Sequence, residues 1–211
     1  MKRIFLHKYA LPVLLVIVLI IWELIIYTIS VKIANSSTSE FQLAARYSAR
    51  SSFALLAIIL FWIGSSGLIS IYKNISTKNL FIITLFLLMV NHLIHFGYLF
   101  MNYSANNKTL LQAKNVAGAL AYLMLLAAPW YLCKNDKLTR NRYKQIIIFL
   151  AFISLIFIAT YIGRLTNHTP VLSSIWLYAF FLSSITLLLS LTLFRAFKEI
   201  RTLNTSNFNK I

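Results

Sequence analysis

Six long apolar stretches leave this chain few folds to adopt. They run from about Ala10 to Val31, Tyr47 to Ile71, Leu80 to Tyr103, Asn115 to Cys133, Gln145 to Gly163 and Leu172 to Phe194. Each holds roughly 19 to 25 residues, enough at ~1.5 Å per residue to cross a ~30 Å hydrocarbon layer. Backbone in hydrocarbon must satisfy its own hydrogen bonds, and only helices and closed barrels do so. No stretch shows the apolar/polar alternation of a membrane β-strand. The expectation is an all-α, polytopic bundle of six transmembrane helices, a single domain over residues 1–211 with no soluble domain. A nucleotide- or flavin-binding module would need well over a hundred further residues for its sheet and Gly-rich turn.

Charge supports the same class. Only 11% of residues are charged, against about a quarter in a soluble domain. Mean hydropathy is +0.78. The net charge of +16 would suggest nucleic acid in a soluble protein. Here the basic residues fall mostly between apolar runs, where they meet anionic headgroups, and no soluble basic face exists to hold phosphates. Nucleic acid is therefore excluded as a partner, and the lipid bilayer is expected. With the N-terminus placed in the cytoplasm, inner segments hold 14 of the 20 basic residues, among them Lys2, Arg3, Lys73, Lys78, Arg195 and Lys198. The positive-inside rule then predicts that both termini are cytoplasmic. The first stretch follows Lys2, Arg3 and Lys8 like a signal peptide. It is too long for an h-region, contains Trp22 and Glu23, and has no small-residue cleavage site after it. The single cysteine, Cys133, excludes an intrachain disulfide and a cysteine metal cluster.

Polar residues at membrane depth are costly and point to function. The third stretch carries Asn91-His92-Leu93-Ile94-His95, with Leu99 and Asn102 continuing that face. His92 and His95 are candidate metal or haem ligands. They project from one helix face, so both cannot grip one iron from opposite sides. His7 and His168 lie away from mid-membrane, and Met124 is the remaining axial candidate. The alternative is that both imidazoles hydrogen-bond to neighbouring helices. Glu23 is the one acid inside a stretch, slightly past mid-membrane, and is a candidate proton relay; otherwise it is a protonated side chain bonded to a carbonyl. Arg46, Arg50 and Arg164 gather toward the outer ends, where they clamp a propionate or other anion, or snorkel to headgroups. Gly64, Ser65, Ser66 and Gly67, with Ala117, Gly118 and Ala121, read as surfaces for close helix packing.

These motifs taken in order resemble a known family. Arg46-Tyr47-Ser48-Ala49-Arg50-Ser51 is similar to the "R-x-[ST]-A-R-[ST]-S" entry to helix two of bacterial ferric reductase-like transmembrane proteins. Asn91 to His95 resembles that group's "S-H-x-x-H" on helix three. Ala117 to Leu123 resembles "GGLAYL" on helix four, and Phe157 to Arg164 resembles "F-x-x-[ST]-[YF]-x-x-R" at the close of helix five. The group is similar to the haem-bearing membrane subunit of the periplasmic methionine sulfoxide reductase system. The resemblance spans roughly residues 46 to 164. It implies a multi-pass protein of a bacterial inner membrane, with haem b between helices three and five. His92 and His95 would be haem-side histidines, and Arg50 and Arg164 the matching arginines. It further implies an oxidoreductase or electron-transfer subunit without its own reductase domain, served by a separate redox partner protein or quinol. Two places depart from the pattern: Leu80 and Phe81 stand in the region where the family opens helix three with a basic pair, and the start of helix five lacks its histidine. Ile146 stands where the family carries its helix-five histidine, with Phe149 at the following glycine. Two other functions remain: a haem-less binding or assembly component of the same bundle type, and a small proton-coupled transporter using Glu23 and His92.

Overall fold

A computed structural model describes residues 2–34, 39–107, 116–133, 138–166 and 174–205. The side chains of His7 and Cys133, all of His168, and the connections around Lys108, Lys114, Lys134 and Lys137 lie outside the described residues. Among the described residues seven helices follow in order: α1 (Lys2–Ile33), α2 (Glu40–Ser66), α3 (Leu68–Lys73), α4 (Ile75–Ala105), α5 (Val116–Cys133), α6 (Arg140–Thr166) and α7 (Ile175–Thr205). No strand occurs among the described residues. The all-α expectation holds, and the apolar stretches reappear as helices.

Among the described residues five helices are long and apolar enough to cross a membrane: α1, α2, α4, α6 and α7. The fourth stretch gives only the 18-residue α5, which at ~1.5 Å per residue falls just short of the ~30 Å hydrocarbon core. The second stretch is also not one rod. Gly67 adopts φ 81°, ψ 148° and separates α2 from α3. That region of backbone space is accessible to glycine and strained for other residues. Gly67 therefore breaks a helix, where the sequence suggested a packing surface.

The surface is apolar in the manner of a lipid-facing protein. Trp176, Phe194 and Leu187 are 80%, 71% and 71% exposed, and α1 displays Val13, Leu14, Ile21 and Leu24. The chain divides into two compact units. The first comprises residues 1–55 and 83–126, and the second 56–82 and 127–211.

In the first unit, α1 turns a narrow stripe inward: Glu23, Ile26 and Ser30 are its buried residues. Their spacing places them on one helix face. Leu43, Ala44, Ala45, Ser48 and Ser52 are the buried face of the α2 segment, and Leu85, Leu88, Asn91 and His95 that of α4. Rings also join the elements: Tyr27 stacks on Phe41 at 5.9 Å and on Tyr98 at 6.1 Å.

The second unit is more conventional. Leu56, Ile59, Leu60 and Ile63 are fully buried at helical spacing on α2. Tyr143, Ile146, Leu150, Ile153 and Phe157 form the buried face of α6, which packs along α7. A Cβ built on Gly64 would stand 2.8 Å from Leu191 Cγ, so this glycine does permit close approach. Thr192 Oγ1 donates to the Leu60 carbonyl at 2.9 Å, an interhelical bond in an otherwise apolar seam.

Around the helix break, two freed backbone groups find side-chain partners on α7. Arg195 Nη2 donates to the Ser66 carbonyl at 3.1 Å. The Ile69 amide donates to Glu199 Oε2 at 3.2 Å. Asn74 then starts α4, its side chain accepting from the Ser76 amide at 2.8 Å.

Candidate functional site

The most polar buried region lies in the first unit, where α1, α2 and α4 meet. α4 supplies Asn91 and His92, and α2 supplies Ser48 and Ser52, four residues and therefore one turn apart. Asn91 Nδ2 donates to the Ser48 carbonyl at 3.1 Å and to Ser52 Oγ at 2.8 Å. The carbonyl accepts only, which fixes which end of the amide is nitrogen. Ser52 thus accepts from Asn91 and lies 3.1 Å from His92 Nδ1, and where its hydroxyl donates to that nitrogen, Nδ1 is the acceptor. In that arrangement the neutral His92 ring carries its proton on Nε2. The ring lies 4.5 Å from the Tyr122 ring of α5 and 5.5 Å from His95, centroid to centroid.

Glu23 enters the region from α1 and is 2% exposed. The Ser48 hydroxyl is the polar side chain that bears on its carboxyl. Neither carboxyl oxygen, nor Ser48 Oγ, makes a hydrogen bond of normal geometry, and Asn91 Oδ1 is in the same condition. Glu23 is instead anchored through its backbone, whose carbonyl accepts from Tyr98 OH at 3.0 Å. Next to it, Trp22 Nε1 donates to Ser51 Oγ at 3.0 Å. The α1 helix is held from both sides of Glu23 while the acid itself stays unpaired. Among the described residues, no backbone carbonyl pairs with the Glu23 carboxyl.

Sequence reasoning found Glu23, His92 and His95, and all three lie in this unit. It missed Ser48, Ser52 and Tyr122. Ser48 stands within the quoted arginine motif, and its spacing to Ser52 was the available signal. Arg50 lies inside α2, over the Tyr47 ring at 4.8 Å. Arg164 belongs to the second unit, over the Tyr178 ring at 5.6 Å. Asn102 serves the end of α4, accepting from Ser39 Oγ at 2.8 Å.

Among the described residues, a six-coordinate haem on His92 or His95 would need its second axial ligand from another helix, where Met124 of α5 is the candidate the sequence offers. His92 and His95 share one face of α4, and they are the histidines whose side chains are described. Among the described residues no group of three or more His, Cys, Asp or Glu side chains gathers to hold a metal ion. Ile146 and Phe149 are buried apolar residues of α6 in the second unit, and neither offers an axial ligand. What the arrangement can do chemically is accept, hold and pass a proton. It has a carboxyl, two hydroxyls, an amide and two imidazoles on helices long and apolar enough to cross a membrane.

Compared with protein-family models, with curated proteins and with solved structures, the chain matches none.

Proposed function

We propose that this chain is a multi-pass membrane protein that handles protons within the bilayer, as a small proton-coupled transporter would. Glu23 is the proton-binding carboxyl, and Ser52 and His92 form the relay beside it. The observation that carries this reading is the state of Glu23: buried at 2% exposure, with the Ser48 hydroxyl beside it and no hydrogen bond of normal geometry from a described residue to either oxygen. An acid at membrane depth costs several kcal/mol, in the order of ~2.5–3.5 by insertion scales, unless it is paired. A structural role would be served better by serine or leucine. A carboxyl whose oxygens lack fixed donors can gain and lose a proton without dismantling a network.

Each residue then has a defined task. Ser48 faces the carboxyl and orients it. Asn91 ties the Ser48 backbone to Ser52, holding α2 and α4 at a fixed separation. Ser52 presents a proton to His92 Nδ1 and holds the ring while Nε2 exchanges. Tyr122 covers one face of that ring.

The test is infrared difference spectroscopy of the purified protein as the pH is stepped from acid to alkaline. A protonated-carboxyl band that changes with pH and vanishes in Glu23→Gln is expected. Its persistence in that variant sinks the assignment. Reconstituted vesicles with an entrapped pH dye should lose proton flux in Glu23→Gln. The visible spectrum of the same preparation tests the electron-carrier alternative. A Soret band from haem-replete cells that is lost in His92→Ala would replace proton handling with haem-linked electron transfer.

A further inference from the structure

A second polar site lies in the other unit, where α3 meets the end of α7. A cleft of about 380 Å³ is lined there by Ser70, Lys73, Arg195, Lys198, Glu199 and Thr202. Three cations and one acid share it. The acid is already engaged: Glu199 accepts from the Ile69 amide and from Tyr143 OH, and pairs with Arg195 Nε at 3.4 Å. Arg195 is likewise occupied, with Nη2 on the Ser66 carbonyl.

Lys73 and Lys198 are different. Both are exposed, and neither makes a hydrogen bond or ion pair with a described residue. The cleft therefore presents two uncompensated ammonium groups to one space. Like charges held that way repel, and a shared anion relieves the repulsion. The exposed Ser70 adds a hydroxyl donor.

The flanks say where the anion comes from. Phe194 and Phe197 are 71% and 57% exposed, and they adjoin Arg195 and Lys198 on α7. Ile75, two residues beyond Lys73, is 71% exposed. The cleft thus sits where apolar surface gives way to charge, the level of a phospholipid headgroup. It also lies in segments that the charge bias assigns to the cytoplasmic side, where anionic lipids meet basic residues. We propose that this cleft binds a phosphate group between Lys73 and Lys198, supplied by an anionic phospholipid whose acyl chains lie along Phe194 and Phe197.

The full-length protein in a neutral detergent is titrated with short-chain phosphatidylglycerol and, separately, with inorganic phosphate, and thermal unfolding is followed. Phosphatidylglycerol is expected to stabilise the protein. The double variant Lys73→Gln/Lys198→Gln should weaken that binding roughly 30-fold, taking each lysine's usual contribution at an anionic surface. Lys73→Arg/Lys198→Arg should retain it. Lys144→Gln, an exposed α6 lysine that does not line the cleft, should change it less than about twofold. A response to inorganic phosphate alone, lost in the double glutamine variant, supports the site with a soluble phosphate as its source. Unchanged lipid binding in the double glutamine variant, or an equal loss in Lys144→Gln, overturns the proposal.

Discussion

The chain has four acids, and two of them, Glu23 and Glu199, are buried in different units at 2% and 7% exposure. Their surroundings are opposite. Glu199 holds a backbone amide, a tyrosine hydroxyl and an arginine, and closes a helix break that would otherwise leave bare backbone groups. Glu23 has the Ser48 hydroxyl beside it and no hydrogen bond of normal geometry to either oxygen. The contrast separates two uses of one side chain. A carboxylate locked by several donors is a structural joint, because any change in its protonation breaks several contacts at once. A carboxyl without fixed donors contributes little to stability, and a change in its protonation breaks few contacts.

The sharpest way to break this contrast is at Gly67. Gly67→Ala places a Cβ 1.7 Å from Glu199 Oε1 in a backbone region that alanine rarely adopts. Strain of ~1–3 kcal/mol adds to the displacement of Glu199 from its partners, so a loss of about 4 kcal/mol or a failure to fold is expected in thermal or denaturant unfolding. Glu199→Gln keeps the shape but weakens charge-assisted bonds, and should cost about 2 kcal/mol.

Next comes the corresponding change in the first unit. Glu23→Gln should leave unfolding within about 1 kcal/mol of the parent, or stabilise it, because no paired charge is broken. A loss as large as that of Glu199→Gln would mean that Glu23 is a joint as well, and proton handling would lose its support.

The smallest effects distinguish two glycines that look alike in sequence. Gly118→Ala meets nothing within 4 Å and should be neutral within ~0.5 kcal/mol. Gly64→Ala meets Leu191 at 2.8 Å, and should cost about 1 kcal/mol as that flexible side chain shifts. Equal melting temperatures for both variants would show that the α2–α7 seam is looser than described.

Much of the fold is legible without coordinates. Runs of apolar residues too long for a soluble core, with charges between them, point to membrane helices; among the described residues five helices are long and apolar enough to cross, and the fourth stretch gives the shorter α5. The limits appear at particular residues. Gly64-Ser65-Ser66-Gly67 reads as a small-residue surface, yet Gly64 packs while Gly67 breaks the helix. The break persists because Glu199, 130 residues from the Ile69 amide it caps, and Arg195 satisfy the opened backbone. No local pattern announces partners that distant. Ala117, Gly118 and Ala121 read as one close-packing surface, yet Ala121 is buried and the space where a Gly118 side chain would stand is open.

The candidate site divides in the same way. His92, His95 and Glu23 stand out in sequence because charged and imidazole side chains are expensive in hydrocarbon. Ser48 and Ser52 do not, since serine is tolerated anywhere on such a helix. They become significant only when α4 lies against α2 and brings Asn91 within hydrogen-bond distance of both.

The sequence by itself determined the class of the protein, its helical elements and its expensive residues, because hydropathy and length act along the chain and need no neighbours. Only the tertiary structure decided which buried acid is satisfied and which is not. Hydrogen-bond partners come from other helices, and helix pairing in lipid depends on side-chain fit and close approach that residue type does not encode.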